Sequence, residues 1–130
     1  MKIGDTYELK KAVTPELTAA ALGSGALPVL GTPYLIAMVE HAAFCYMNRF
    51  LEDGKSSVGT LVSISHVSPT PVGMEVCVRV EVTGISANGK LVDFSASAYD
   101  ACGLIGEGTH QRAIVTAERF MDKCQKKLEV

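Results

Sequence analysis

Thr32-Pro33-Tyr34-Leu35-Ile36-Ala37-Met38-Val39-Glu40-His41-Ala42-Ala43-Phe44-Cys45-Tyr46-Met47 is the stretch that decides the fold. Thr32-Pro33 is a helix start signal, with Thr32 as N-cap and Pro33 at the first helical position. Between Pro33 and Met47 only Glu40 and His41 can carry charge. A helix that is apolar almost all round is buried on more than one side. Asn48, Arg49, Glu52 and Asp53 mark its emergence into water. The helix is therefore predicted to run to about Leu51 and to be ended by Gly54.

Downstream the pattern changes to period two. Ser57 to Val67 is predicted as a strand, with Val58, Thr60, Val62, Ile64 and His66 on its inner face. Met74 to Thr83 is a second, with Val76, Val78, Val80 and Val82 on one face. Asn88-Gly89 is a strong hairpin signal, and Lys90 to Tyr99 is the returning strand. A turn over 100–103 leads to a last strand, Leu104 to Ala117, and Glu118 to Lys127 forms an amphipathic helical tail. Upstream, Thr6 to Val13 is a first strand. Thr14-Pro15-Glu16 opens a short helix that ends near Gly23, and residues 23–31 form a loop.

The order is strand, short helix, buried helix, then four antiparallel strands. Nothing else in the chain can cover the central helix, so one sheet must wrap it. This is an α+β hotdog fold, an antiparallel sheet around a long central helix. No linker or repeat divides the 130 residues, so residues 1–130 are read as a single domain. One sheet around one helix leaves apolar surface uncovered, and a homodimer or dimer of dimers is expected.

Hydrophobic residues make up 48% of the chain and charged residues 20%, enough apolar material for a packed core. Net charge is −2 and the basic residues are scattered, which argues against nucleic acid as a partner. Cys45, Cys77, Cys102 and Cys124 form no C-x-x-C pair, so zinc is not expected and the thiols read as reduced and buried. The first five residues carry no signal-peptide pattern, and Pro33 to Val39 is too short to cross a bilayer. A soluble, cytoplasmic protein without a membrane partner is expected.

Glu40 is the most informative side chain. Burying a carboxylate costs several kcal/mol, in order of magnitude about 3–5, unless it is paired. Glu40 is therefore a functional group, a structural ion-pair partner, or a residue that helix rotation or a cleft leaves exposed and idle. His66 ends an apolar strand face, where it either shuttles a proton or is a core histidine bonded to backbone. Thr32 caps the helix, or presents its hydroxyl and the neighbouring amides to a carbonyl. Thr32 and Glu40 lie about 12 Å apart along a helix. They cannot bond directly within one helix, so a substrate, a third group or a second subunit must join them. Gly59 admits a close backbone or ligand approach, or marks a bulge. Arg112 holds a carbonyl or phosphate, or faces solvent. His41 and His110 read as structural or exposed.

The stretch Val29 to Ala42 resembles the central helix of the fluoroacetyl-CoA thioesterase-like hotdog proteins. Ser57-Val58-Gly59-Thr60 through His66, Thr70-Pro71-Val72-Gly73, and Gly106-Glu107-Gly108-Thr109-His110-Gln111-Arg112-Ala113 continue the resemblance over about residues 3–121. It implies a catalytic set of Thr32, Glu40 and His66, with Gly59 and Arg112 touching substrate. It implies hydrolysis of a small or medium acyl-CoA, with coenzyme A entering as part of the substrate and no separate cofactor or metal. The fluoroacetate-specialised branch carries an aromatic lid residue upstream of the central helix. Residues 23–31 contain none, so fluoroacetyl specificity is not expected. A non-enzymatic hotdog binder of acyl-CoA or a small hydrophobic ligand is the alternative. A hotdog hydratase fits less well, because no Asp-x-x-x-x-His arrangement occurs.

Overall fold

The computed structural model describes residues 1–130. The strands are β1 (Thr6–Ala12), β2 (Lys55–His66), β3 (Glu75–Ile85), β4 (Leu91–Asp100) and β5 (Gly103–Thr116). They form one antiparallel sheet in the order β1-β3-β4-β5-β2. The helices are α1 (Ala19–Leu22), α2 (Thr32–Asn48) and α3 (Ala117–Gln125). The sheet curls around α2, as the sequence pattern requires.

Alternation sets the core. Val76, Val78, Val80 and Val82 of β3 are fully buried, as are Val92 and Phe94 of β4. They meet Leu35, Met38, Val39, Ala42, Ala43, Tyr46 and Met47 of α2. Each such valine, leucine, methionine or phenylalanine contributes roughly 1.5–3 kcal/mol on burial, so this pattern alone chooses the inner face of the sheet. Tyr46 donates a hydrogen bond to Asp5 near the N-terminus. The Arg49 guanidinium sits 5.8 Å from the Tyr46 ring and 5.6 Å from the Phe50 ring. These contacts fix the rotation of α2, and with it the direction of Glu40.

Several sequence expectations are corrected. The short helix is broken in two: a 3-10 turn spans Pro15–Leu17, and Thr18 then caps α1 through the Ala21 amide. Gly31, not Thr32, is the N-cap of α2, and no side chain caps that end. A side chain at Gly31 would meet Leu22 Cδ1 at 2.9 Å and Ala19 N at 3.1 Å, so the glycine lets α1 pack on the start of α2. The helix ends at Asn48, short of Leu51, and Gly54 (φ 83°) serves the turn into β2. α2 buries one face only: Thr32, Ala37 and His41 are exposed. The cysteines are unpaired but not buried. Cys45 and Cys77 are half-buried, Cys102 and Cys124 exposed.

Strand β2 departs from simple alternation. Its register against β5 slips between Gly59 and Leu61, leaving Thr60 as the extra residue of a bulge. A one-residue insertion swaps the faces of everything beyond it. Before the bulge Ser57 is buried and Gly59 faces α2. Beyond it Ile64 packs on the core, and His66 reaches α2. Thr60 lies on the outer side, bonded to Gln111 at 2.8 Å. The inner-face expectation thus holds for Val62, which pairs with the inward His110, for Ile64 and for His66, and fails for Val58 and Thr60.

β2 is also an open edge of the sheet, 12 residues long. Leu61 is 55% exposed on it and Val62 39%. A long edge with apolar side chains is a template for pairing with another strand.

Candidate active site

Two clusters stand on α2, one at its start and one two turns further along. At the start, the loop into the helix is pinned to the turn after β2: the Leu30 amide donates to the Thr70 carbonyl at 2.9 Å, and the Thr70 hydroxyl to Asp100 at 2.8 Å. On the other side of that turn the Val67 amide donates to Ile105 at 2.7 Å. Loop and turn therefore hold Thr32 against His66. Thr32 Oγ1 lies 2.7 Å from His66 Nδ1, the separation of a hydroxyl hydrogen-bonded to a base. The threonine hydroxyl, expected to cap the helix, is spent on the imidazole instead. His66 Nε2 is buried and makes no hydrogen bond. The cavity here is about 280 Å³, lined by Ala19, Val29, Leu30, Thr32, His66 and Val67 among others.

In the second cluster Glu40 projects toward β2 and β5. Its Oε2 is 3.8 Å from Arg112 Nη1, with the Glu40 side chain 42% exposed and the Arg112 side chain 7%. The carboxylate expected inside a greasy helix is therefore half in solvent, and paired. Arg112 is held from behind: Nε donates to Ser57 Oγ at 2.8 Å and Nη2 to the Ser57 carbonyl at 2.9 Å. Nη1 lies 3.2 Å from His110 Nε2. A side chain at Gly59 would stand 2.7 Å from Glu40 Oε2 and 3.6 Å from Arg112 Nη1. Gly59 thus serves both of its sequence readings, next to a bulge and as the floor under the carboxylate. A cavity of about 260 Å³ opens here, bounded by Ala37, Glu40, His41, Phe44 and Arg112.

The structure brings Thr32 to His66, and Glu40 to Gly59 and Arg112. Within one chain it does not join the two clusters. His41 is exposed, and its Nε2 is 3.5 Å from Cys45 Sγ. His110, read as structural or exposed, lies inside the second cluster and is 2% exposed. The signal for it was its spacing: His110 and Arg112 are two apart on β5, so they share a face.

Burial pulls His66 below the ordinary imidazole value, with the Ser68 backbone opposing in part. Burial also lowers His110, and the Leu61 carbonyl opposes. Arg112 is lowered by burial and supported by Glu40, but guanidinium remains charged. For both histidines the unfolded chain binds protons more readily than the fold. Their stabilising contribution is complete above the unfolded value, about 6.5, and is lost as pH falls toward the folded values. The midpoint of thermal unfolding is expected to be lower at about pH 5.5 than at about pH 7.5. Melting curves across that interval check it, and a midpoint that is flat or rises on acidification contradicts it.

A sheet curled around one helix, with a hydroxyl–imidazole pair at the helix start and a carboxylate two turns on, defines a hotdog protein. The chain belongs to the fluoroacetyl-CoA-specific thioesterase family, whose model matches residues 13–118. It is 34% identical over 99 residues to a fluoroacetyl-CoA thioesterase from Streptantibioticus cattleyicolor, covering 76% of this chain and 70% of that protein. A solved structure of the fluoroacetyl-CoA thioesterase superposes with a TM-score of 0.92 at 29% identity, covering 98% and 97% of the two chains. A thioesterase superfamily member from Thermus thermophilus superposes with a TM-score of 0.89 at 26% identity, covering 98% and 93%. No helix is long and apolar enough to cross a membrane.

Proposed function

We propose that the protein hydrolyses a small or medium acyl-CoA to a carboxylate and free coenzyme A, as a homodimer with composite active sites. The observation that carries this is the Thr32–His66 contact at the start of α2, in a chain of the thioesterase family. Thr32, through its hydroxyl and its own backbone N–H, engages the thioester oxygen as charge develops on it; Pro33 has no N–H, and the Tyr34 and Leu35 amides already donate to the Gly31 carbonyl. Glu40 drives attack at the carbonyl carbon, either directly, forming a mixed anhydride that water then hydrolyses to free the carboxylate and regenerate Glu40, or through a water it deprotonates. The C–S bond breaks, and His66 passes a proton to the departing thiolate. Arg112 and Gly59 bound the pocket beside Glu40. All of these steps use side chains and water, with no cofactor.

Two observations support pairing of copies. The β2 edge is long, apolar and open. The His66 Nε2 left buried without a partner costs about 1–3 kcal/mol, which an acceptor from a second copy or from substrate removes. Pairing two β2 edges about a two-fold axis lets the Thr32–His66 pair of one copy face Glu40 of the other. The four unpaired thiols fit a reducing, cytoplasmic setting. The loop 23–31 borders the first cavity through Ser24, Val29 and Leu30 and has no aromatic to specialise it for fluoroacetyl groups.

A panel of acyl-CoAs with a thiol-trapping dye tests the activity. Thiol release from short or medium acyl-CoAs is expected; tight binding without release makes the protein an acyl-CoA binder instead. The composite site has its own test. A Glu40→Gln chain and a His66→Ala chain, each inactive, are mixed and allowed to exchange subunits. Half of the dimers are then mixed, each with one intact site, so about a quarter of the wild-type rate should return. A mixture that stays inactive despite demonstrated exchange places the whole site within one chain.

A further inference from the structure

His110 occupies a position that neither packing nor the proposed chemistry uses by itself. Its Nδ1 lies 2.7 Å from the Leu61 carbonyl, which can only accept. Its Nε2 lies 3.2 Å from Arg112 Nη1, which can only donate. Only one protonation pattern satisfies both contacts: the proton sits on Nδ1 and Nε2 is a bare acceptor. The Leu61 carbonyl comes from the first residue past the β2 bulge, so the irregularity in the strand supplies the acceptor that orients the ring. Phe94 of β4 lies alongside the imidazole, centroids 6.3 Å apart. The charged groups that reach the ring are Arg112 on its own strand and Glu40 from α2; β2 offers the Leu61 carbonyl and β4 the Phe94 ring.

We infer that His110 is a positioning residue for the reaction: with its proton fixed on Nδ1 by Leu61, its Nε2 seats the Arg112 guanidinium against Glu40. Ser57 holds two of the arginine's nitrogens, Nε and Nη2. The remaining one, Nη1, is the nitrogen that meets the carboxylate. His110 therefore sets the one edge of the guanidinium that Ser57 leaves free. A protonated ring would point an N–H at Nη1 and place two cations in contact, so the seat requires the neutral form.

The effect on turnover rests on the proposed hydrolase reading; the seat itself does not. Histidine nitrogen NMR on the intact protein is expected to show His110 as the neutral Nδ1–H tautomer at neutral pH. A ring with its proton on Nε2, or one exchanging between tautomers, overturns the inference. Kinetics give the second arm. His110→Phe keeps a flat ring against Phe94 and removes both nitrogens. It should lower kcat about tenfold while KM changes little, because a displaced group beside the reacting carboxylate mainly impairs turnover. His110→Gln, whose amide oxygen can accept from Nη1, should recover most of that loss. A His110→Phe chain that melts earlier yet keeps its kcat reduces His110 to a structural residue. A wild-type chain that hydrolyses no acyl-CoA sinks the hydrolase assignment alone, and the tautomer then decides the seat.

Discussion

Glu40→Gln is expected to lower kcat for acyl-CoA hydrolysis by about a thousandfold, within the ~10²–10⁴ range for loss of a positioned acid–base group. The amide keeps the shape of the side chain but can neither deprotonate water nor attack a carbonyl. The fold should survive. Glu40 is half exposed and its arginine partner 3.8 Å away, so the pair contributes no more than about 1 kcal/mol. Arg112 keeps Ser57 and His110 as partners. Steady-state kinetics with an unchanged circular dichroism spectrum check this. Wild-type turnover by the folded variant removes Glu40 from the chemistry.

His66→Ala is expected to cost a similar factor, on the order of 10²–10⁴ in kcat. It removes the only side chain bonded to the Thr32 hydroxyl and the group that returns a proton to the thiolate. Thr32 stands at the exposed first turn of α2, so its hydroxyl can turn to water and the helix should remain. Thr32→Val separates the two contributions. It keeps the branched shape and the His66 ring, and its loss should be the smaller of the two. A Thr32→Val chain as impaired as His66→Ala shifts the main catalytic burden to the hydroxyl. Full activity in folded His66→Ala contradicts the assignment of His66.

Local pattern made the fold legible. Four alternating valines on β3, the Asn88-Gly89 turn and an apolar run opened by Thr32-Pro33 each follow from neighbours within a few residues. Their order left one way to cover the helix. Glu40 stood out because a charge in an apolar helix is costly, and Gly59 because a glycine within a strand asks for a reason.

Tertiary structure decided the rest. The rotation of α2, set by Tyr46 on Asp5 and Arg49 among the aromatic rings, turned Glu40 to a half-exposed place beside Arg112. The bulge at Thr60 exchanged the faces of β2, so Gly59 and His66 both point inward although they are an odd number of residues apart. Thr32 gave up the capping role its position suggested, because a histidine 34 residues away arrived within 2.7 Å. Propensity and periodicity act over a few residues, and they fixed the elements. Pairings across the sheet depend on register, on bulges and on which side chains long-range packing brings together, and those made the two clusters.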